Sequence, residues 1–227
     1  MAQATLGLMG KHPGYGDFLQ AGLSAEVVDG LNLWLDSSLP VVRDQMGEDW
    51  GAFWDHAQSL RFWIGRAVLG RTLIGILHPS RDRVGRRFPL LLMVEGADVA
   101  LPLGAEADQS AWEALADHLT EMQPGQGAAA LLDGASIEVG AEDEQMAALG
   151  PTLWAHHPEG DLQSLLRSAA APDAARAQLS RSYWWAPGED SKTAQRAATW
   201  LACPGLPEPQ ALGWLLGGMP RAVEGEA

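Results

Sequence analysis

The chain has a single cysteine, few basic residues and no long apolar run. Cys203 stands alone, which excludes an intramolecular disulfide framework and an all-cysteine metal site. A lone thiol fits a reducing compartment. Lysine and arginine total 15 against 29 aspartates and glutamates, a formal net charge of −14. That deficit argues against nucleic acid, whose phosphates require an excess of cations, and against anionic membrane surfaces. No stretch approaches the ~18 consecutive apolar residues of a membrane-spanning helix. The opening Met1-Ala2-Gln3-Ala4-Thr5 lacks the basic segment and apolar core of a signal peptide. The expectation is a soluble, cytoplasmic protein. Gly-x-Ser-x-Gly, His-Glu-x-x-His, a Cys–His pairing and a P-loop are all absent, as is any internal repeat. No catalysis, cofactor or metal is therefore expected.

What is present points to a folded body. With 227 residues, 47% of them hydrophobic and 19% charged, the chain is long and apolar enough for a substantial core. Ten tryptophans serve as core anchors, because each buries a large area. The reading is one domain over 1–227: a motif-bearing sheet with helices in 1–95, and an acidic, mostly helical completion with a late hairpin in 96–227. Thr5–Met9, Leu60–Ile64, Thr72–Leu77 and Phe88–Val94 read as short buried strands bounded by Gly and Pro. Ser24 caps a helix with Val27, Val28, Leu31, Trp34, Leu35 and Leu39 on one face, which Pro40 ends or kinks, and a second helical turn through Val41–Met46 stops at Gly47.

A short helix carries Trp50, Phe53 and Trp54, with Asp49 as its cap. Ser110 and Glu113 form a capping box for a helix through Met122. Ala128–Asp133 is a helical piece and Ile137–Val139 a short strand. Met146–Leu149 and Trp154 reach the core. Asp161–Ala171 is a helix with Leu162, Leu165 and Leu166 inward, broken at Pro172, and Asp173 caps another. Ser182–Trp185 and Thr199–Cys203 form the late hairpin. Pro209–Leu216 is the last helix, with Trp214 and Leu215 packed, Pro220 beyond it and a frayed tail Arg221–Ala227. Together these give a mixed, largely antiparallel α/β sheet flanked by helices.

One stretch stands out chemically. Pro79-Ser80-Arg81-Asp82-Arg83-Val84-Gly85-Arg86-Arg87-Phe88-Pro89 packs four arginines into seven residues between two strands. Between Gly96 and Ser180 the only basic residues are Arg167 and Arg176. A basic loop on an acidic body is the expected layout, which steers encounter more than it adds affinity. Asp82 reads as a local partner of the surrounding guanidiniums, which grip carboxylates through a planar fork. Arg86 and Arg87 flank a strand start, so pairing with Asp17 or Asp82 stands beside docking as their role. The turn Gly10–Gly16 allows close backbone approach, and Asp17 is placed to hydrogen-bond its N–H groups.

A phosphate cradle is the competing reading of that turn. Its Gly-Lys comes first with no hydroxyl after it, and Leu19 stands where a dinucleotide fingerprint has its third glycine. His156-His157 has no carboxylate at ligand spacing to both and reads as structural. Asp17, His78 and Asp82 are the polar residues near strand ends from which an acid–base site would have to be built.

Three of these segments carry a resemblance. Gly10-Lys11-His12-Pro13-Gly14-Tyr15-Gly16-Asp17-Phe18, then Arg61-Phe62-Trp63, then the segment from Pro79 and Ser80 through Gly85, Phe88 and Pro89 resemble, in order and spacing, motifs of the TagF family of type VI secretion systems. The match spans the first 95 residues or so. It is looser beyond, through Ser182-Tyr183-Trp184-Trp185 and Gly205-Leu206-Pro207. His12 departs from the pattern, where an aliphatic residue is expected. The resemblance implies a longin- or profilin-like N-terminal sheet. It also implies a post-translational repressor of type VI secretion that acts by binding Fha, the forkhead-associated scaffold protein of that system. On that reading Arg81, Asp82, Arg83, Arg86 and Arg87 make the partner-binding loop. The alternative is a phosphate- or nucleotide-ligand binder, or an enzyme, using the Gly10–Asp17 loop with the Arg81–Arg87 cluster.

Overall fold

The computed structural model describes residues 3–101, 103, 107–142, 151–190 and 195–218. At its centre is a seven-stranded antiparallel sheet of β1 (Thr5–Gly10), β2 (Leu19–Ala21), β3 (Leu60–Ile64), β4 (Leu73–His78), β5 (Leu90–Glu95), β8 (Arg181–Ala186) and β11 (Thr199–Pro204). The strand order is β11-β8-β3-β4-β5-β1-β2. Two-residue strands pair beside it, β6 (Ala97–Asp98) with β7 (Gly140–Ala141) and β9 (Glu189–Asp190) with β10 (Gln195–Arg196). The helices are α1 (Ala25–Met46), α2 (Trp50–Asp55), α3 (Arg66–Leu69), α4 (Ser110–Glu121), α5 (Leu162–Gln178) and α6 (Pro209–Gly217).

The sheet is buried on both faces, which is why its central strands read as unbroken apolar runs. Along β5, Leu91 and Met93 turn to one side and Leu90 and Leu92 to the other, as the two-residue repeat of a strand requires. The first side packs Phe62 and Trp184 against Leu31, Trp34 and Leu35 of α1 and Leu212 and Leu215 of α6. Trp184 lies 4.9 Å from Phe62 and 5.3 Å from Trp34, ring centre to ring centre. The second side packs Leu8, Ile76 and Leu92 against Leu115 of α4 and Leu131, with Trp112, Trp63 and Ile74 continuing that layer. Each such large apolar side chain contributes about 1.5–3 kcal/mol on burial. Gly75 of β4 leaves room for the Phe62 ring. A Cβ there would stand 2.7 Å from both Leu92 O and Met93 Cβ.

Several local expectations are corrected. α1 runs through Pro40 to Met46, capped at Ser24 as expected. Pro40 lies on the exposed side of the helix, where the carbonyl it leaves unbonded can be hydrated while the apolar face stays packed. Asp49 makes no side-chain cap, because its backbone is already helical. The N-cap position of α4 is Gln109 rather than Ser110 and makes no side-chain cap; Asp108 Oδ1 instead accepts from Ser110 N at 2.9 Å. Ala128–Leu132 is a short 3-10 helix. The strand expected at Ile137–Val139 falls instead at Gly140–Ala141.

Pro172 does not break α5, which continues to Gln178 with Asp173 inside it. Leu162 and Leu166 are 63% and 61% exposed, and no described residue of α5 is buried. Trp154 is 90% exposed and Trp214 41%, so neither is a core anchor. The expectations for Met146–Leu149, Pro220 and the tail Arg221–Ala227 lie outside the described residues.

Candidate functional site: the paired loops at one end of the sheet

Register brings the two glycine- and arginine-bearing segments together. Gly10 of β1 and His78 of β4 both pair with Leu90 of β5. The turn after β1 and the loop between β4 and β5 therefore leave the same end of the sheet side by side. Gly10 has φ 121°, and Lys11 N donates to Pro89 O at 3.2 Å. A side chain at Gly10 would collide with that carbonyl, so the turn can lie flat against the neighbouring loop only with glycine there.

The β4–β5 loop is organised around Asp82, whose side chain is fully buried. Its Oδ1 accepts from Val84 N at 3.0 Å and Arg86 N at 2.9 Å. Its Oδ2 accepts from Arg86 Nε at 2.6 Å and faces Lys11 Nζ at 3.1 Å. Burial opposes ionisation of Asp82, but the bonds from Arg86, Lys11 and Val84 outweigh it and hold the carboxyl far below the usual carboxylate range. The loop closes on itself through Asp82 N to Arg86 O and Gly85 N to Asp82 O, with Gly85 at φ 89°. It closes on the first turn through Arg83 N to Tyr15 O at 2.7 Å and through Arg86 Nη2 to Gly16 O. Phe18 meets Phe88 edge to face at 5.6 Å.

Outside supports fix both loops. Trp54 Nε1 donates to Ser80 O at 2.8 Å, and Tyr15 Oη accepts from Gly125 N at 2.8 Å. The Arg87 guanidinium forks onto Asp55, Nε to Oδ1 at 3.1 Å and Nη2 to Oδ2 at 2.8 Å. That fork raises the pKa of Arg87 and lowers that of Asp55. Underneath, His78 Nδ1 lies 2.8 Å from Ser59 Oγ, and burial and then the charge of His12 push its pKa down.

The arginines thus divide into two pairs. Arg86 and Arg87 are spent on Asp82, Gly16 and Asp55. Arg81 and Arg83 are exposed, and among the described residues neither side chain forms an ion pair. Val84 is 69% exposed and Phe18 40%. Asp82, grouped with the arginines by the sequence reading, is withdrawn from the surface. Asp17 is exposed, and no hydrogen bond ties its carboxylate to the turn. The motif residue Arg61 reaches Gln109 Oε1 at 2.9 Å, while Trp63 Nε1 donates to Val99 O at 3.0 Å.

The turn's polar groups are largely committed. Gly14 N donates to His12 Nδ1, Tyr15 N to His12 O and Lys11 N to Pro89 O. The Lys11 ammonium lies on Asp82. The turn leads into β2 and not into a helix, so it lacks the helix N-terminus on which a P-loop depends. Among the described residues no group of His, Cys, Asp and Glu is placed to hold a metal ion. No described helix is long and apolar enough to cross a membrane.

The arrangement defines a class before it defines a family: an α/β body with two interlocked loops at one sheet end, presenting arginine and apolar side chains on a buried ionic support. The family model "TagF N-terminal domain, Type VI secretion system-associated" matches residues 7–135. That is more than half of the chain, and the chain belongs to this family. Its fold is similar to the crystal structure of PA0076 from Pseudomonas aeruginosa PAO1, at 25% sequence identity and TM-score 0.67 over 98% of each chain. Comparison with the curated proteins gives no match. The chain is thus a type VI secretion-associated protein.

Proposed function

We propose that this protein is a cytoplasmic negative regulator of type VI secretion that acts by binding the Fha scaffold protein, and that residues 10–18 and 79–89 form its docking tip. The observation that supports this reading is the division of the arginines. Asp82 and Asp55 anchor Arg86 and Arg87, so the loop is rigid, and a rigid loop loses little conformational freedom on binding. Arg81 and Arg83 are left exposed beside Val84 and Phe18. Arginine next to an apolar contact is the composition of an interface hot spot. On a body of net charge −14, that tip gives an acidic partner surface one orientation of approach.

The test is the double substitution Arg81→Glu with Arg83→Glu. Neither side chain supports the fold, so circular dichroism and melting temperature stay at their wild-type values. Affinity for Fha falls about tenfold or more, as expected for a charge reversal at an interface, and repression of secretion in the host is lost. Undiminished co-purification with Fha by the folded double variant would remove the tip as the docking surface.

A further inference from the structure

The central sheet has two edges of unequal character. β2 is a three-residue edge. β11, at the other side, is six residues long. Two backbone bonds set the phase of its ladder: Gly65 N donates to Arg181 O and Gly205 N to Ser180 O, both at 2.9 Å. With the registers β3–β8 and β11–β8, alternation assigns Arg181, Tyr183 and Trp185 to bond β3, and Ser182, Trp184 and Ala186 to bond β11. Thr199, Leu201 and Cys203 therefore turn their backbone groups toward β8. The N–H and C=O of Trp200 and Ala202, and the C=O of Pro204, turn outward. Among the described residues no backbone group pairs with them.

Soluble proteins usually blunt such an edge with charge, proline or a bulge. β11 carries no charged residue, its register with β8 is unbroken, and its one proline is its last residue. Trp200 and Pro204 are its exposed residues, and Trp200 is 52% accessible and packed at 6.2 Å against Tyr183.

We propose that β11 is a self-association edge: two copies pair antiparallel about a two-fold axis at Leu201, joining two sheets into one. In this register Trp200 of each copy faces Ala202 of the other, and their outward N–H and C=O groups satisfy one another completely. The indole of Trp200 then lies over the small Ala202 of the second copy. Shifting the axis to Trp200 would set two indoles against each other. Shifting it to Ala202 would oppose Trp200 to Pro204, which has no N–H to give. A two-fold contact must be self-complementary, and the strand's own pattern of large, small and proline residues selects one register. Because β11 is uncharged, pairing brings no like charges together within it, despite a net charge of −14 per chain.

Light scattering across a dilution series tests this on the full chain. The expected mass is about 48 kDa, twice the 24.2 kDa of the chain, with the dimer favoured by salt, which screens the acidic bodies. Ala202→Pro deletes an outward N–H and leaves the bonds to β8 intact, and Trp200→Arg puts charge on the edge. Each returns the mass to that of the monomer with the circular dichroism spectrum unchanged. Leu201→Cys in a Cys203→Ser background places one thiol per copy at the axis, in a non-hydrogen-bonded pair where the Cβ atoms approach to about 4.5–5.5 Å. Oxidation then gives a covalent dimer. A wild-type chain monomeric at all concentrations and salt levels overturns the proposal. So does a dimer that survives both edge substitutions, or a monomer that instead captures another protein's strand through β11.

Discussion

The two ends of the sheet are built on the same device and use it differently. At one end the buried carboxylate of Asp82 holds Arg86 and Lys11. At the other, buried Glu142 holds Arg66 at 3.2 Å and accepts from Thr72 Oγ1 at 2.8 Å, with Arg71 Nε at 3.8 Å. Both oxygens of Asp82 are fully bonded, and most of those bonds come from within four residues. Glu142 draws its bonds from 76 and 70 residues away, and its buried Oε2 has no hydrogen-bond partner among the described residues. Beside it lies a cavity of about 350 Å³ reaching from Trp63 and Val99 to Leu179 of the α5 side. The contrast teaches that a buried charge serves two ends: at Asp82 it shapes a loop for presentation, and at Glu142 it ties distant segments to the sheet.

Substitutions can break this contrast. Glu142→Ala has the largest expected effect, a loss of about 3 kcal/mol or more, because it takes the carboxylate from a buried ion pair and leaves cations behind. Urea denaturation reads it as a lower midpoint. In the sheet centre, between the two ends, Gly75→Ala overpacks against Phe62 and the Leu92 carbonyl and costs about 1–3 kcal/mol by the same measurement. At the tip, Asp82→Asn acts chiefly on pH dependence. The folded pKa of Asp82 is depressed, so its stabilisation is full above the unfolded value, near 4, and fades as pH falls below it. The wild type loses stability through that acid window, and the variant has a flatter acid limb in a series of urea midpoints. The smallest effect is that of Arg83→Ala, within about 0.5 kcal/mol, because this exposed side chain supports nothing in the fold. A large destabilisation there would erase the distinction between supporting and presented arginines.

How much of this was legible depended on how local the cause was. The Asp82 loop could be read because donor and acceptor lie a few residues apart. The central strands could be read because burial on both faces leaves an uninterrupted apolar run. α1 does not end at Pro40, since the energy that carries the helix onward to its stop at Gly47 comes from its apolar face against Phe62, Trp184 and α6. The leucines of α5 were misjudged for the opposite reason: Leu162 and Leu166 have helical spacing, but no described layer covers them. The role of Glu142 has no local signal: it opens the charge run Glu142-Asp143-Glu144, whose composition points to a solvated loop or helix start, yet its side chain is buried.

The order of residues was enough to determine the antiparallel strands, the cap at Ser24, the arginine loop with its internal carboxylate, and the membership those motifs carry. Periodicity, glycine placement and short-range pairing act over a few residues and leave their mark in the string. Only the folded chain decided that the glycine turn and the arginine loop share one end of the sheet. It also decided that Arg86 and Arg87 are committed while Arg81 and Arg83 are presented, and that β11 ends the sheet with the N–H groups of Trp200 and Ala202 outward. Those outcomes depend on register and on contacts between segments far apart in sequence, which exist only once the sheet has closed around its tryptophans.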